Sequence, residues 1–143
     1  MSQTLLYALL AACGGSLVAV ASLAVAENSS GGSAAPSEAP LAHMVFFKLA
    51  DPSPNNVAAM VESCHELLTG HQGTDYFSVG VRGAEFDRPV NATDYDVALH
   101  LVFANKAAHD AYQTHARHVE FVERNKPLWS AVRVYDSYLA PRP

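Results

Sequence analysis

From Tyr95 to Phe103 the chain reads YDVALHLVF, a strict two-residue alternation. Tyr95, Val97, Leu99, Leu101 and Phe103 fall on one face of a strand, and Asp96, Ala98, His100 and Val102 on the other. The first face needs a core. The second is neither fully polar nor fully apolar, which suits an antiparallel sheet with helices on one side and either solvent or a second subunit on the other. Any fold for this chain has to supply both environments.

The flanking segments fit such a sheet. His43-Met44-Val45-Phe46-Phe47-Lys48-Leu49 is β-rich and runs into Asp51-Pro52-Ser53-Pro54, a turn that also offers a helix N-cap. Beyond Asn55, the residues Val57, Met60, Val61, Cys64, Leu67 and Leu68 recur at helical spacing on one stripe, and Gly70 is a natural stop. Thr74 to Gly83 alternates as a second strand, and the polar stretch Ala84 to Asp94, with Pro89, reads as a loop. After Phe103, Asn105 opens a helical region that extends through Asn125 and is closed by Pro127; Ser130 to Leu139 supplies a fourth strand. The order β-α-β-β-α-β predicts an α+β, ferredoxin-like fold, a four-stranded antiparallel sheet with both helices on one face.

The ends of the chain read differently. Leu5 to Ala26 is uniformly apolar or small, and Met1 to Ala26 contains no charged side chain. Ala24-Val25-Ala26 before Glu27 matches a leader-cleavage pattern, so residues 1–26 read as a signal peptide with cleavage after Ala26. The run is also long enough to be an uncut membrane anchor, and Leu10-Ala11-Ala12-Cys13 resembles a bacterial lipobox, ranked below ordinary cleavage. Every variant exports the domain, and membrane association is expected only through this segment. Residues 27–41, rich in Ser, Gly, Ala and Pro, form a tether; residues 42–139 form the domain and 140–143 a tail. Asn28 and Asn91 each open a glycan-acceptor triplet that matters only in a eukaryotic host.

Within 143 residues there is room for one ordinary domain. The net charge is −5 and the nine basic residues are scattered, which argues against nucleic acid as a partner. Cys64 lies on the apolar stripe and is expected in the core, and no CxxC or Cys/His zinc spacing occurs.

The chemistry-bearing residues concentrate between His109 and Trp129 (HDAYQTHARHVEFVERNKPLW). In one continuous helix Tyr112, His115 and His118 follow at i, i+3, i+6 along one side, where a phenol and two imidazoles can exchange protons near neutral pH. The plainer reading is that these groups satisfy each other or the backbone. His115 divides evenly between pocket and surface. His65, His71 and His109 are expected to face solvent, His43 to make a structural hydrogen bond from strand to helix, and His100 to lie on the uncovered sheet face. Asp94, Asp96 and Asp136 fall at no metal-ligand spacing, and His115/His118 lacks a carboxylate or Cys partner, so neither a metal nor another cofactor is expected.

Taken together, His43-x-Val45-x-Phe47-Lys48, Tyr112-x-x-His115-x-x-His118-Val119-x-Phe121, Pro127-Leu128-Trp129 and Val132-x-Val134-Tyr135-Asp136 resemble the stress-responsive A/B barrel (Dabb) family over about residues 42–139. The family pattern has His-Pro-x-His in the second helix; here Ala116 stands in place of the proline, so the helix is expected to run straight. The resemblance implies a dimeric α+β barrel, two sheets packed face to face as a homodimer, with a cavity inside each subunit. It also implies a pocket. A plant polyketide cyclase of the family works without a cofactor through a Tyr and a His that fall on Tyr112 and His118. Its pocket residues fall on His43, Val45, Phe47, Leu99, Phe121, Trp129, Val132 and Val134, with His115 a candidate neighbour; one further pocket histidine falls on Val97. Two functions are thereby expected: binding of a small apolar ligand without turnover, placed first, or cofactor-independent proton transfer on a carbonyl compound.

Overall fold

The computed structural model describes residues 38–141. The expected leader, the Cys13 lipobox, the Asn28 triplet and most of the tether therefore lie outside the described residues. Strand β1 (Leu41–Leu49) is followed by helix α1 (Pro54–Leu68), β2 (Thr74–Val81), β3 (Val97–Phe103), α2 (Lys106–Thr114), α3 (Ala116–Asn125), a 3-10 turn (Lys126–Leu128) and β4 (Trp129–Tyr138). The sheet order is β2-β3-β1-β4 with every pair antiparallel, the ferredoxin-like arrangement that the alternation implies. Among the described residues no helix is long and apolar enough to cross a membrane.

Strand parity decides what faces the helices. Leu41, Val45, Phe47 and Leu49 of β1 and Val97, Leu99, Leu101 and Phe103 of β3 are buried and meet the α1 stripe of Met60, Cys64, Leu67 and Leu68. Each such side chain contributes about 1.5–3 kcal/mol of transfer free energy. Burial pushes the Cys64 thiol up to about 12, so it stays protonated and inert as an expected core residue. The turn before α1 is built by Asp51, whose carboxylate accepts from the Ser53 backbone and from Asn56 Nδ2; Ser53 precedes Pro54 but makes no side-chain cap. Past the helix, Gly70 takes φ +68°, the left-handed conformation that releases the chain toward β2.

The helices pack mainly over β2 and β3, α1 against both and α2 against β3. Strand β4, at the sheet edge, lies past their cover. Its inward residues Val132 and Val134 therefore remain 39% and 49% exposed although they pair with the buried Phe47 and Val45. That gap is the cavity described below. On the opposite face Phe46 gathers Tyr95, His100 and Tyr135 around its ring, an aromatic patch continuous with the mixed face of β3.

The expected straight helix from Asn105 to Asn125 is not formed. Helix α2 ends at Thr114 and His115 is extended, with φ −67° and ψ 139°. Proline is unnecessary because two histidines cap the break. The His115 backbone N–H closes α2 on the Tyr112 carbonyl, while its own Nδ1 accepts from the Arg117 N–H as the N-cap of α3. His118 Nδ1 takes the Gln113 carbonyl, which α2 leaves without an intrahelical partner. Arg117 ties the corner to α1 by donating to the Glu66 carbonyl.

Two histidine expectations also need correction. His71 is buried at 6% exposure, its Nε2–H donating to the Leu67 carbonyl at the end of α1. His109 is largely covered, its ring 5.1 Å from that of His43 and 5.4 Å from that of Phe103. Both were expected in solvent because helix-end position says nothing about what folds over it. His65 is exposed, as expected.

Candidate functional site

Between the uncovered part of the sheet and the α2–α3 corner lies a cavity of about 250 Å³. It is bordered by His43, Val45 and Phe47 from β1, Leu99 from β3, Tyr112 from α2, His118 and Phe121 from α3, and Trp129, Val132 and Val134 from β4. His115 is not there. Its ring faces outward against that of His71, at 4.6 Å, beside a separate hollow lined by Gly70, Gln72 and Arg117. The break in the helix causes this separation: on a straight helix His115 would follow Tyr112 and His118, whereas the extended backbone turns it away.

The same break brings Tyr112 and His118 together from two helices, ring centroids 4.5 Å apart. His118 Nδ1 lies 3.0 Å from the Gln113 carbonyl oxygen, an acceptor only, so Nδ1 carries the proton and Nε2 keeps its lone pair. Burial lowers the His118 pKa, against the opposing effect of the Gln113 carbonyl, and positive charge on His43, His71 and His109 would lower it further. Imidazole, not imidazolium, is therefore the resting form at neutral pH. Tyr112 is 2% exposed, and burial raises its pKa, so it remains a phenol. Among the described residues the one buried side-chain polar atom lacking a partner is Thr74 Oγ1. Among the described residues the Tyr112 hydroxyl makes no hydrogen bond to another protein group, and Tyr112 borders both this cavity and the hollow beside His71 and His115. A hydrogen-bond donor and a basic nitrogen thus share one wall.

Apart from His43, Gln113 and Asp136, the rest of the wall is apolar and aromatic. The Phe47 ring stands 5.1 Å from Trp129 and 6.0 Å from Phe121, a three-ring lining within the same cavity as the polar pair. Trp129 is fixed by its indole N–H on Met60 Sδ at 3.5 Å. Helix α3 is fixed by buried Asn125, whose Nδ2 donates to Ser63 Oγ on α1 and to the Phe121 carbonyl.

His43, itself buried, lines the cavity from β1. Its expected bond from strand to helix is instead strand to strand: Nδ1 is 2.6 Å from Asp136 Oδ1, the residue directly opposite it in the β1–β4 ladder. Burial lowers the His43 pKa while the Asp136 carboxylate pulls it up; burial is the larger effect, so we take a neutral ring donating Nδ1–H to the carboxylate. Asp136, Gln113 and Val122 also border the cavity and were not anticipated. Asp136 was recoverable from strand parity once β1 and β4 are paired. Gln113 and Val122 had no such signal. Close by, His43, His109 and Asp136 bring three potential metal-ligand atoms within 4.8 Å of one another.

A larger hollow of about 340 Å³ lies on the opposite sheet face, lined by Phe46, Lys48, Tyr95, Arg133 and Tyr135 among others. Its charges are already paired, Lys48 with Asp96 at 2.9 Å and Arg133 with Asp94. That leaves an aromatic surface without a spare acid or base.

The fold is shared by solved structures of low sequence identity. A Dabb family protein with a ferredoxin-like fold from Mesorhizobium loti superposes with a TM-score of 0.61 at 22% identity over 72% of this chain and 99% of that one. A dimeric ferredoxin-like protein of unknown function from Thermobifida fusca gives 0.59 at 18%, over 75% and 97%. A hydroxynitrile lyase from Passiflora edulis gives 0.60 at 16%, over 73% and 97%. No curated protein is similar enough in sequence to match. The family model of the stress responsive A/B barrel domain matches residues 41–139, which is nearly all of the described chain. The chain belongs to the stress-responsive A/B barrel family.

Proposed function

We propose that the inner cavity binds a small, mainly apolar carbonyl compound and that Tyr112 and His118 move a proton on it without a cofactor. One observation carries this: Tyr112, whose hydroxyl has no hydrogen-bond partner among the described residues, and His118, whose Nδ1–H is already used by the Gln113 carbonyl, border the same cavity. His118 Nε2 accepts a proton from the carbon next to the carbonyl. The electron pair moves onto the carbonyl oxygen, where the Tyr112 hydroxyl donates a hydrogen bond to the developing charge. Returning the proton to another carbon completes an isomerisation. If the enolate carbon first attacks a second carbonyl of the same molecule, giving the proton to the new alkoxide completes a ring closure. In the reverse sense His118 Nε2 takes a hydroxyl proton, the carbonyl forms as the carbon–carbon bond breaks, and the departing carbanion takes the proton. The Passiflora neighbour, by name a lyase, supports the idea that this architecture hosts such chemistry. A panel of β-dicarbonyl and hydroxynitrile compounds, assayed by NMR for exchange of the α-proton with deuterium, tests it. Exchange by wild type that is lost in His118→Ala and Tyr112→Phe is the expected result. Binding without exchange leaves a ligand-binding domain and removes the proton-transfer role.

The assembly belongs to the same reading. The aromatic patch on the outer sheet face and the dimeric description of the Thermobifida neighbour support a homodimer with sheets face to face. The uninterrupted apolar run Leu5 to Ala26, ending in Ala24-Val25-Ala26, supports export. The intact mass of the chain recovered from its host distinguishes cleavage after Ala26 from lipid on Cys13 or an uncut anchor.

A further inference from the structure

Beside the cavity three potential ligands converge from three elements: His43 near the start of β1, His109 from α2 and Asp136 from β4. We infer that they form a binding site for one first-row divalent transition ion of the Zn²⁺/Co²⁺/Fe²⁺ class, held by two imidazoles and one carboxylate. The inference stands apart from the proton-transfer role of Tyr112 and His118 and survives if that role fails.

The donor set suits such an ion: imidazole and carboxylate together favour these metals over Mg²⁺ or Ca²⁺, which prefer all-oxygen shells. Ligand atoms on a tetrahedral ion at about 2.0–2.1 Å lie roughly 3.3 Å from each other. Here the three ligand atoms lie within 4.8 Å of one another, and His43 Nδ1 is 2.6 Å from Asp136 Oδ1, so coordination through Nδ1 shifts the proton of that hydrogen bond to Nε2. One contact must widen slightly and the longest close by about 1.5 Å. Both movable partners can do this, since the Asp136 side chain is 47% exposed and His109 lies on a helix flank with its side chain 14% exposed. His43 is buried and stays as the fixed post.

The surroundings favour a cation. Asp110 and Asp136 each bring a negative charge to this edge and Lys106 one positive, with the Lys106 ammonium already held by Asp110. His109 Nδ1 faces the Asp110 carboxylate at 3.4 Å, which places the proton on Nδ1 and the lone pair on Nε2. The Gln113 amide Nε2 lies 3.0 Å from His109 Nε2 and donates there, marking that lone pair as an acceptor that a metal would take over. Three protein ligands leave open coordination positions, and because His43 and Asp136 also border the inner cavity, those positions lie beside whatever it holds. A bound molecule with a carbonyl, hydroxyl or carboxylate oxygen would complete the shell.

The test is titration of the chelator-treated full chain with Co²⁺, read by its visible d–d bands, followed by displacement with Zn²⁺. One ion per protomer is expected. His109→Ala should weaken binding by more than about 100-fold, since even outer-shell changes cost 10–100-fold. Asp136→Asn keeps a hydrogen-bond acceptor for His43 and so preserves the strand clamp, yet should weaken the ion similarly. His65→Ala, exposed on α1, should bind as wild type. No Co²⁺ band in the wild type, or unchanged binding in folded His109→Ala and Asp136→Asn, overturns the site.

Discussion

Tyr112 closes one helix and His118 stands in the next, yet their rings meet at 4.5 Å because the chain turns extended at His115 between them. In the proposed reaction the two nitrogens of His118 have separate roles. Nδ1–H holds the corner through the Gln113 carbonyl, and Nε2 is left for the cavity. Substitutions can separate the two. His118→Asn can place an amide N–H near the Nδ1 position and so keep the corner while removing the base; His118→Ala removes both. We expect proton exchange on a bound carbonyl compound to fall by about 10²–10⁴-fold in both variants. Only His118→Ala should also lose stability, by about 1–3 kcal/mol for the orphaned carbonyl. Equal exchange rates in wild type and His118→Asn would remove His118 from the chemistry.

Much of this was legible in the chain before any coordinates. The alternation of Val97 to Phe103 and the stripe of Met60, Cys64, Leu67 and Leu68 fix which side is core, because burial of a continuous apolar face decides both strand register and helix orientation. The corner at His115 was not legible. Helix breaks are ordinarily signalled by proline or by Ser, Thr, Asp or Asn at the cap, and here an imidazole takes the capping role. Losing that corner also misplaced His115, the one expected pocket residue that lies away from the cavity. His71 and His109 were misplaced for a related reason: their burial comes from Tyr112 and His43, remote in sequence, packing against them. Asp136 sat in plain view but needed the β1–β4 register to acquire meaning.

Acid should loosen the fold in a defined window. His43, His71 and His118 each have a pKa lowered by burial from the ordinary 6.5. Below pH 6.5 the unfolded chain therefore binds more protons than the folded one, and stability falls as pH falls; above 6.5 both states are neutral and this contribution is fully present. The slope is at most about 1.4 kcal/mol per pH unit for each group. Urea midpoints should decline between pH 7.5 and 5.5. His71→Gln, whose amide can still donate to the Leu67 carbonyl, should show a shallower decline. A flat profile for the wild type would contradict the burial of these imidazoles.

Asn125 links the pocket wall to the core. Its Nδ2 spans Ser63 Oγ at 2.7 Å and the Phe121 carbonyl at 2.8 Å, at 3% exposure. Asn125→Leu fills similar volume but leaves both acceptors dry, which should cost about 1–3 kcal/mol for each group left unsatisfied. Because the Phe121 ring rides on the same turn of α3, ligand affinity should drop with stability. The double variant Ser63→Ala/Asn125→Leu should recover part of the loss, and urea unfolding of the three variants gives the coupling directly. Additive losses would mean that the two residues do not act as a pair.

The outer face of the sheet should be where two copies meet. Phe46 is its centre, with Tyr95 at 5.0 Å, Tyr135 at 5.8 Å and His100 at 6.2 Å between ring centroids. Tyr135 is 56% exposed in the isolated protomer, a large aromatic surface left uncovered. In a two-fold interface every substitution appears twice, so Phe46→Glu would set two carboxylates into one desolvated patch whose cations, Lys48 and Arg133, are already paired with Asp96 and Asp94. The expected outcome is a dimer for the wild type and a monomer for Phe46→Glu by sedimentation at equal concentration. Val119→Glu, on the exposed side of α3, should leave the dimer intact. The inner cavity belongs to one protomer, so a folded Phe46→Glu monomer should still bind ligand there. A Phe46→Glu chain that sediments with the wild type would place the interface elsewhere.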